Sequence, residues 1–211
     1  MLEAGETDIE FDSGVFSVAG TDKQINIVEV AKSSYTLVMW PPHLGMGLEG
    51  IGTFNPGMGN FPNGCQIAEV EIDPETGKVE LVNLVIVGDV GTVINPLLLE
   101  GQIHGGITQG VGQATLENIV YEGNSGQLLS ASFQDYTMPR ADDLPLYDVS
   151  SHPVPTTTNP LGVKGAGETG TVGAPAAVLN AIVNALSSVG VKDIEMPATS
   201  EKVWQALQNA A

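Results

Sequence analysis

One cysteine, Cys65, is all that 211 residues provide. That excludes an internal disulfide and leaves a protein-held iron–sulfur cluster or structural zinc site without its ligands; a reducing compartment fits. Positive charge is nearly as scarce. Seven Lys and Arg stand against 25 Asp and Glu, a net charge of −18, so nucleic acid and anionic membrane surfaces are excluded as partners by repulsion. No continuous apolar run reads as long enough to cross a bilayer. The opening MLEAGETDIEFD has neither the basic nor the apolar region of a secretory signal, and a cytoplasmic protein is the expectation. Missing too are a GxxxxGK(S/T) phosphate loop, an HExxH zinc helix and a GxSxG elbow. The three histidines, His43, His104 and His152, are scattered, each beside Gly or Pro, and read as loop residues with local hydrogen bonds.

What is present is a chain with 42% hydrophobic residues, enough to bury a core in one domain or two small ones. Residues 2–11, LEAGETDIEF, read as a helix end running into a strand. Residues 8–17 alternate about Ser13-Gly14 as a hairpin, and Asn26 is placed to cap a helix to about Tyr35. Residues 41–64 are too rich in Gly and Pro for a helix and too long for a simple turn, which marks a functional or partner-packed loop. Residues 66–73 and 78–88 are the clearest strands, with Ala68, Val70 and Ile72 on one face and a PETG turn between them. Cys65, at the head of the first, reads as a buried small apolar residue. Further extended pieces are expected at 118–121, 128–133 and 147–152. Helices are expected from Pro96, capped by Asn95, to about Glu117; from Ala174, with Thr171 as cap, to Val189; and over residues 200–209. The fold class is α+β, a mixed sheet with packed helices.

Two stretches carry candidate chemistry. On the Pro96 helix, Ile103, Ile107 and Val111 form an aliphatic stripe, and Gln102, Gly106, Gln109 and Gln113 line up nearly opposite. Either the glycines serve helix packing beside solvated glutamines, or the stripe receives a flat heterocycle that meets amide donors and acceptors. The second stretch is LGVKGAGETGTVG, residues 161–173. Gly165, Gly167 and Gly170 remove side chains on both flanks of Glu168, so that apart from Lys164 it is the only ionisable group facing a ligand approaching the backbone. The same loop also reads as a glycine-rich turn with a solvated Glu. Residues 165–170 match GxGxxG formally, but no strand precedes them and Glu168 would face the pyrophosphate, which argues against a Rossmann turn.

Three segments, FPNGCQIAEVEIDPETGKV (61–79), VGDVGTVINPLLLEGQIHGGITQGVGQATLENIVY (87–121) and NPLGVKGAGETGTVGAPAAVLNAI (159–182), resemble in order and spacing the C-terminal part of a larger chain. That chain is the molybdenum-binding large subunit of the xanthine dehydrogenase, aldehyde oxidase and aerobic carbon monoxide dehydrogenase family. The resemblance runs over residues 1–211 and implies a C-terminal portion of a molybdopterin-binding subunit several times longer. It implies that Glu168 is the general base that deprotonates the molybdenum-bound hydroxide as its oxygen attacks a substrate carbon. It also implies that Gln109 hydrogen-bonds the pyranopterin and that Gly105, Gly106 and Gly110 keep the helix open to it. Lys164, Gly165 and Gly167 complete the expected cofactor-binding set; no side chain is expected to ligate the metal, which the pterin dithiolene holds.

The expected cofactor is molybdopterin with molybdenum, in the cytosine dinucleotide form usual in bacterial members. A 2Fe-2S cluster and FAD are expected on partner chains, an iron–sulfur small subunit and an FAD medium subunit. The missing N-terminal part of the molybdenum subunit would choose the small-molecule substrate, whether aldehyde, purine, N-heterocycle or CO, and without it these residues are not expected to be active. A non-catalytic assembly module of the same family is the rival reading.

Overall fold

Ser13 and Gly14 both take left-handed backbone angles, φ 47° and 84°. Their two-residue turn joins β1 (Ile9–Asp12) to β2 (Val15–Val18) with Asp12 opposite Val15, the turn geometry whose twist suits a hairpin. The computed structural model describes residues 1–36, 40–41 and 43–210, and its contacts divide the chain into two units, Met1–Asn55 and Pro56–Ala211.

In the first unit a third strand, β3 (Gln24–Asn26), pairs antiparallel with β2. The Asn26 side chain then accepts the Glu29 N–H at 2.9 Å and starts α1 (Ile27–Ser34). The helix end expected before the hairpin is instead a single 3-10 turn, Glu6–Asp8. Pro42, within the expected irregular loop, lies outside the described residues; the described part of 41–62 holds no helix or strand.

The second unit is built on the long antiparallel pair β4 (Asn63–Ile72) and β5 (Val79–Asp89). Asp73 organises the intervening turn by accepting the Glu75 N–H and the Thr76 hydroxyl at 2.9 and 2.7 Å. Ala68, Val70 and Ile72 share the inward face with Leu81, Leu84 and Ile86 of β5. A register shift between Glu69 and Val70 brings Leu81 and Leu84 to the same side, the effect of one extra residue in a strand. Helix α2 (Pro96–Thr115) starts at Asn95, whose side chain accepts the Leu98 N–H at 3.1 Å. Then β6 (Asp148–Ser151) joins β5 in parallel, giving the mixed sheet β4-β5-β6. The two strands expected at 118–121 and 128–133 reduce to one bridge, Tyr121 to Leu128. The Glu122 carboxylate between them is spent on the turn, accepting the Asn124 and Ser125 backbone N–H groups.

Helix α3 (Thr169–Leu186) starts five residues ahead of Ala174. Thr171 therefore lies inside the first turn, Glu168 holds the cap position without a side-chain capping bond, and Pro175 falls in the second turn. Glycines at 170 and 173 argue against helix by propensity; tertiary packing decides otherwise, as the next subsection shows. Gly190, at φ 91°, ends the short 3-10 continuation Ser187–Val189. With that continuation the segment has 21 residues and is apolar enough to cross a membrane by length and composition, which corrects the reading that no such stretch exists. In this fold its Ala174, Val178, Ile182 and Leu186 lie in the core with Ile103, Ile107, Val111 and Ala114 of α2. Helix α4 (Ser200–Ala210) adds Val203.

Because Ile182 is fully buried where α3 meets that core, Ile182→Ala is expected to lower the unfolding free energy by about 2–5 kcal/mol in denaturant titration. A loss under about 1 kcal/mol would contradict this packing.

Candidate functional site

A Cβ added at Gly170 would lie 2.3 Å from the Ile103 carbonyl oxygen and 2.8 Å from the Ile107 nitrogen. One at Gly106 would lie 3.0 Å from the Thr171 nitrogen, and one at Gly110 2.7 Å from the Ala174 Cβ. Helices α2 and α3 thus touch backbone to backbone, and the contact falls on the first turns of α3, just after Glu168. Gly106 and Gly110 are buried beneath α3, which corrects the expectation that they leave α2 open to a ligand: of the two readings of these glycines, helix packing is the one the structure realises. Gly105 is exposed, with open space where a Cβ would stand.

Glu168 is exposed at the N-terminus of α3 and lines an open cleft of about 540 Å³. Gly165, Gly167, Thr169, Val172 and Gly173 form one wall, residues 60–64 and Gln66 the other, with Ile86 between them. Gly165 and Gly167 meet nothing within 4 Å of a would-be Cβ, so the loop offers bare backbone there. The segment before it runs through bends and a turn at 157–161 and meets β5's continuation through the isolated Gly91–Val163 bridge and flanking bonds from Thr92 to the Gly162 carbonyl and from Lys164 to the Val90 carbonyl; no strand enters the loop, and the Rossmann reading falls.

The loop is held from both ends. Behind Glu168, Gln66 of β4 donates its Nε2 to the Thr169 and Gly170 carbonyls at 3.2 and 2.9 Å, and Gln66 Oε1 and Thr169 Oγ1 are buried without a hydrogen-bond partner. From α2, Gln102 Nε2 donates to the Gly167 carbonyl at 2.6 Å, and Gln109 Oε1 accepts the Thr171 hydroxyl at 3.3 Å. The glutamine row therefore does reach the Glu168 loop, although Gln109 lies outside the cleft lining. Ahead of Glu168, Asn159 brackets Val163, donating to its carbonyl at 2.9 Å and accepting its N–H at 3.1 Å, and Asn60 donates to the same carbonyl at 3.2 Å.

Lys164, expected at the ligand surface, is turned away from the cleft. Its Nζ lies 2.5 Å from Asp89 Oδ2, with the two side chains 10% and 13% exposed. Asp89 Oδ1 accepts the N–H groups of Gly91 and Val154, each at 2.9 Å. The Lys164 ammonium, then the Val154 and Gly91 N–H donors, hold the Asp89 carboxyl well below the usual carboxylate range. A depressed carboxylate stabilises the fold above its unfolded pKa and loses that contribution as pH falls through the folded value, so this junction is intact throughout the neutral range. Sequence reasoning missed Asp89 and Gln66. For Asp89 a signal existed, since Asp-x-Gly is an Asx-turn pattern; for Gln66 the signal was a polar residue on the strand face of Ala68, Val70 and Ile72.

Cys65 is exposed, which corrects the reading of it as buried; its neighbour Gln66 takes the inward side of the pleat. His104 sits 4.0 Å from Glu100 Oε1 and 5.4 Å, centroid to centroid, from the Tyr147 ring. Among the described residues no three His, Cys, Asp or Glu side chains are grouped to hold a metal ion.

Residues 1–145 match the family described as molybdopterin cofactor-binding domain. The chain is 40% identical over 208 residues to the nicotine 6-hydroxylase large subunit of Paenarthrobacter nicotinovorans, covering 98% of this chain and 25% of that protein. It is 33% identical to the carbon monoxide dehydrogenase large chain of Hydrogenophaga pseudoflava, over 99% and 26% of the two chains. Among solved structures, reconstituted CO dehydrogenase from Oligotropha carboxidovorans superposes with a TM-score of 0.83 at 32% identity, covering 99% of this chain and 26% of that one. Quinoline 2-oxidoreductase from Pseudomonas putida 86 gives 0.79 at 34%, covering 98% and 26%. The chain therefore spans about a quarter of the length of these relatives.

The glycine contact makes a graded prediction. Gly170→Ala should destabilise the chain by about 1–3 kcal/mol or more, because its methyl meets backbone that cannot yield. Gly165→Ala, facing open space, should stay within about 0.5 kcal/mol of the parent. Thermal unfolding of the two variants checks this, and equal effects would contradict the helix crossing described.

Proposed function

Because the chain belongs to the molybdopterin cofactor-binding domain family, whose relatives here are molybdenum-dependent oxidoreductases, we propose that it is the C-terminal portion of the molybdenum subunit of a hydroxylase. On this reading Glu168 is the general base. The observation that carries it is the placement of one carboxylate, free of any capping bond, between bare glycines at the mouth of the 540 Å³ cleft. Gln109 is tied to the same first turn of α3 through Thr171.

The residues fit a flat cofactor on that side of the chain. Gly165 and Gly167 let it approach the loop backbone, Gly105 leaves a gap on the exposed face of α2, and Gln109, whose Oε1 is engaged by Thr171, offers its amide N–H groups to ring acceptors. When bound, molybdopterin supplies molybdenum, held through its own sulfur atoms, as the two-electron acceptor. The chain's part is proton transfer: a Glu168 carboxylate oxygen takes the proton from the water-derived oxygen as that oxygen bonds to the substrate carbon. Gln66 and Gln102 hold the carbonyls on either side of Glu168, so the carboxylate is positioned before substrate arrives. The substrate is an aldehyde, purine, N-heterocycle or CO, chosen by parts of the subunit beyond these residues. We further assign the cytosine dinucleotide form of the cofactor, and electron exit to a 2Fe-2S small subunit and an FAD medium subunit.

Two measurements on the intact complex test this. Metal and pterin analysis should give stoichiometric molybdenum; a complex without metal or pterin would make the chain an assembly module instead. Glu168→Gln should retain the cofactor while kcat falls by about 10²–10⁴-fold, the usual weight of a general base. Near-normal turnover in that variant would remove Glu168 from the mechanism.

A further inference from the structure

Lys164 stands four residues ahead of Glu168 in a loop whose glycines touch nothing through a would-be Cβ at positions 165 and 167. Between Lys164 and Thr169 the span is tied by Gln102 at the Gly167 carbonyl, and where Glu168 sits depends on that tie and on how the two ends are fastened. The far end is fastened by the α2–α3 glycine contact and by Gln66. The near end is fastened by Lys164, whose backbone N–H donates to the Val90 carbonyl at 2.9 Å and whose Nζ meets Asp89 at 2.5 Å, with both side chains nearly buried. Asp89 closes β5, and its second oxygen takes the N–H groups of Gly91 and Val154. One carboxylate therefore joins the end of a central strand, the turn after it, the segment following β6 and the Glu168 loop.

We propose that the Asp89–Lys164 ion pair is the positioning device for Glu168: Lys164 acts from behind the loop, through Asp89 and the sheet, and makes no contact with cofactor or substrate. A largely buried pair adds little net stability against an apolar replacement, whereas losing one partner strands a charge and frees what it held. A gain in geometry is what such a pair supplies here, and proton transfer is sensitive to it, since a displacement of about 1 Å can cost roughly 100-fold in rate. The proposal rests on the assignment of Glu168 as base.

The test uses the intact, cofactor-loaded complex carrying Lys164→Met, Asp89→Asn, the double variant and Lys164→Arg. Asp89→Asn keeps an oxygen for the Gly91 and Val154 N–H groups, so the strand end is preserved. Each single variant should lower kcat by about 10–100-fold with KM and molybdenum content within about twofold of the parent. The double variant should lose no more than the worse single, and Lys164→Arg should recover most of the rate. Amide hydrogen exchange at Val163 and Lys164, whose N–H groups donate to Asn159 Oδ1 and the Val90 carbonyl at the near end of the loop, should speed up in both singles, with α2 and β4 unchanged; this readout stands whether or not Glu168 is the base. If Glu168→Gln remains active while the loop exchange rises as described, the base assignment fails and the fastening stands. The proposal is overturned if Lys164→Met loses molybdenum with loop exchange unchanged, which would make Lys164 a cofactor contact. It is equally overturned if the singles lower only thermal stability at normal kcat per molybdenum.

Discussion

The constraint on which this unit turns is the contact of α2 and α3 through Gly106, Gly110 and Gly170, where a side chain would overlap the α2 backbone at Gly170, crowd the Thr171 backbone at Gly106 and overlap Ala174 and Pro175 at Gly110. Two helices joined this closely have little freedom to slide. Everything carried at the start of α3, Glu168 above all, is thereby referenced to α2, and the glutamines of α2 come within hydrogen-bonding reach of the loop. Helix propensity is sacrificed for this: glycines at 170 and 173 cost helix stability of about 1 kcal/mol each relative to alanine, and Pro175 leaves the Thr171 carbonyl without its regular N–H donor. The fully buried aliphatic faces of α2 and α3 supply the compensating burial, each large side chain being worth about 1.5–3 kcal/mol.

The sheet enters the site from below. β4 contributes Gln66, whose amide grips the first turn of α3, and β5 contributes Asp89 at its end, beneath the loop. The cleft wall opposite Glu168 is residues 60–64, where the end of the Gly- and Pro-rich stretch runs into β4. A glycine loop held by a helix crossing on one side and an ion pair on the other combines bare backbone with a fixed carboxylate.

Much of the architecture was legible in the sequence because its signals are local. Alternation marked β4 and β5, Asn95 and Pro96 marked the start of α2, and Ser13-Gly14 marked the hairpin. The start of α3 was not legible, since its first turn is glycine-rich and becomes helical only against α2. The readings of Lys164, Gly106 and Gly110 failed for a related reason. Lys164 finds its partner 75 residues away, and the helix glycines reveal their purpose only once α3 lies over them. Cys65 was misread because its apolar residue type was weighed above the alternation, which puts Gln66 on the face of Ala68, Val70 and Ile72 and Cys65 on the other. Glu168 itself was conspicuous as a lone carboxylate among glycines, and the structure places it on a cleft.

The account is tested most directly by a crystal structure of the intact subunit with its cofactor bound. It predicts one ring system lying against the Gly105–Gln109 face of α2 and the 165–167 backbone. A Glu168 carboxylate oxygen should then stand within about 2.6–3.2 Å, directly or through one water, of the oxygen destined for product. A cofactor seated elsewhere, with Glu168 facing only solvent or another chain, would contradict it.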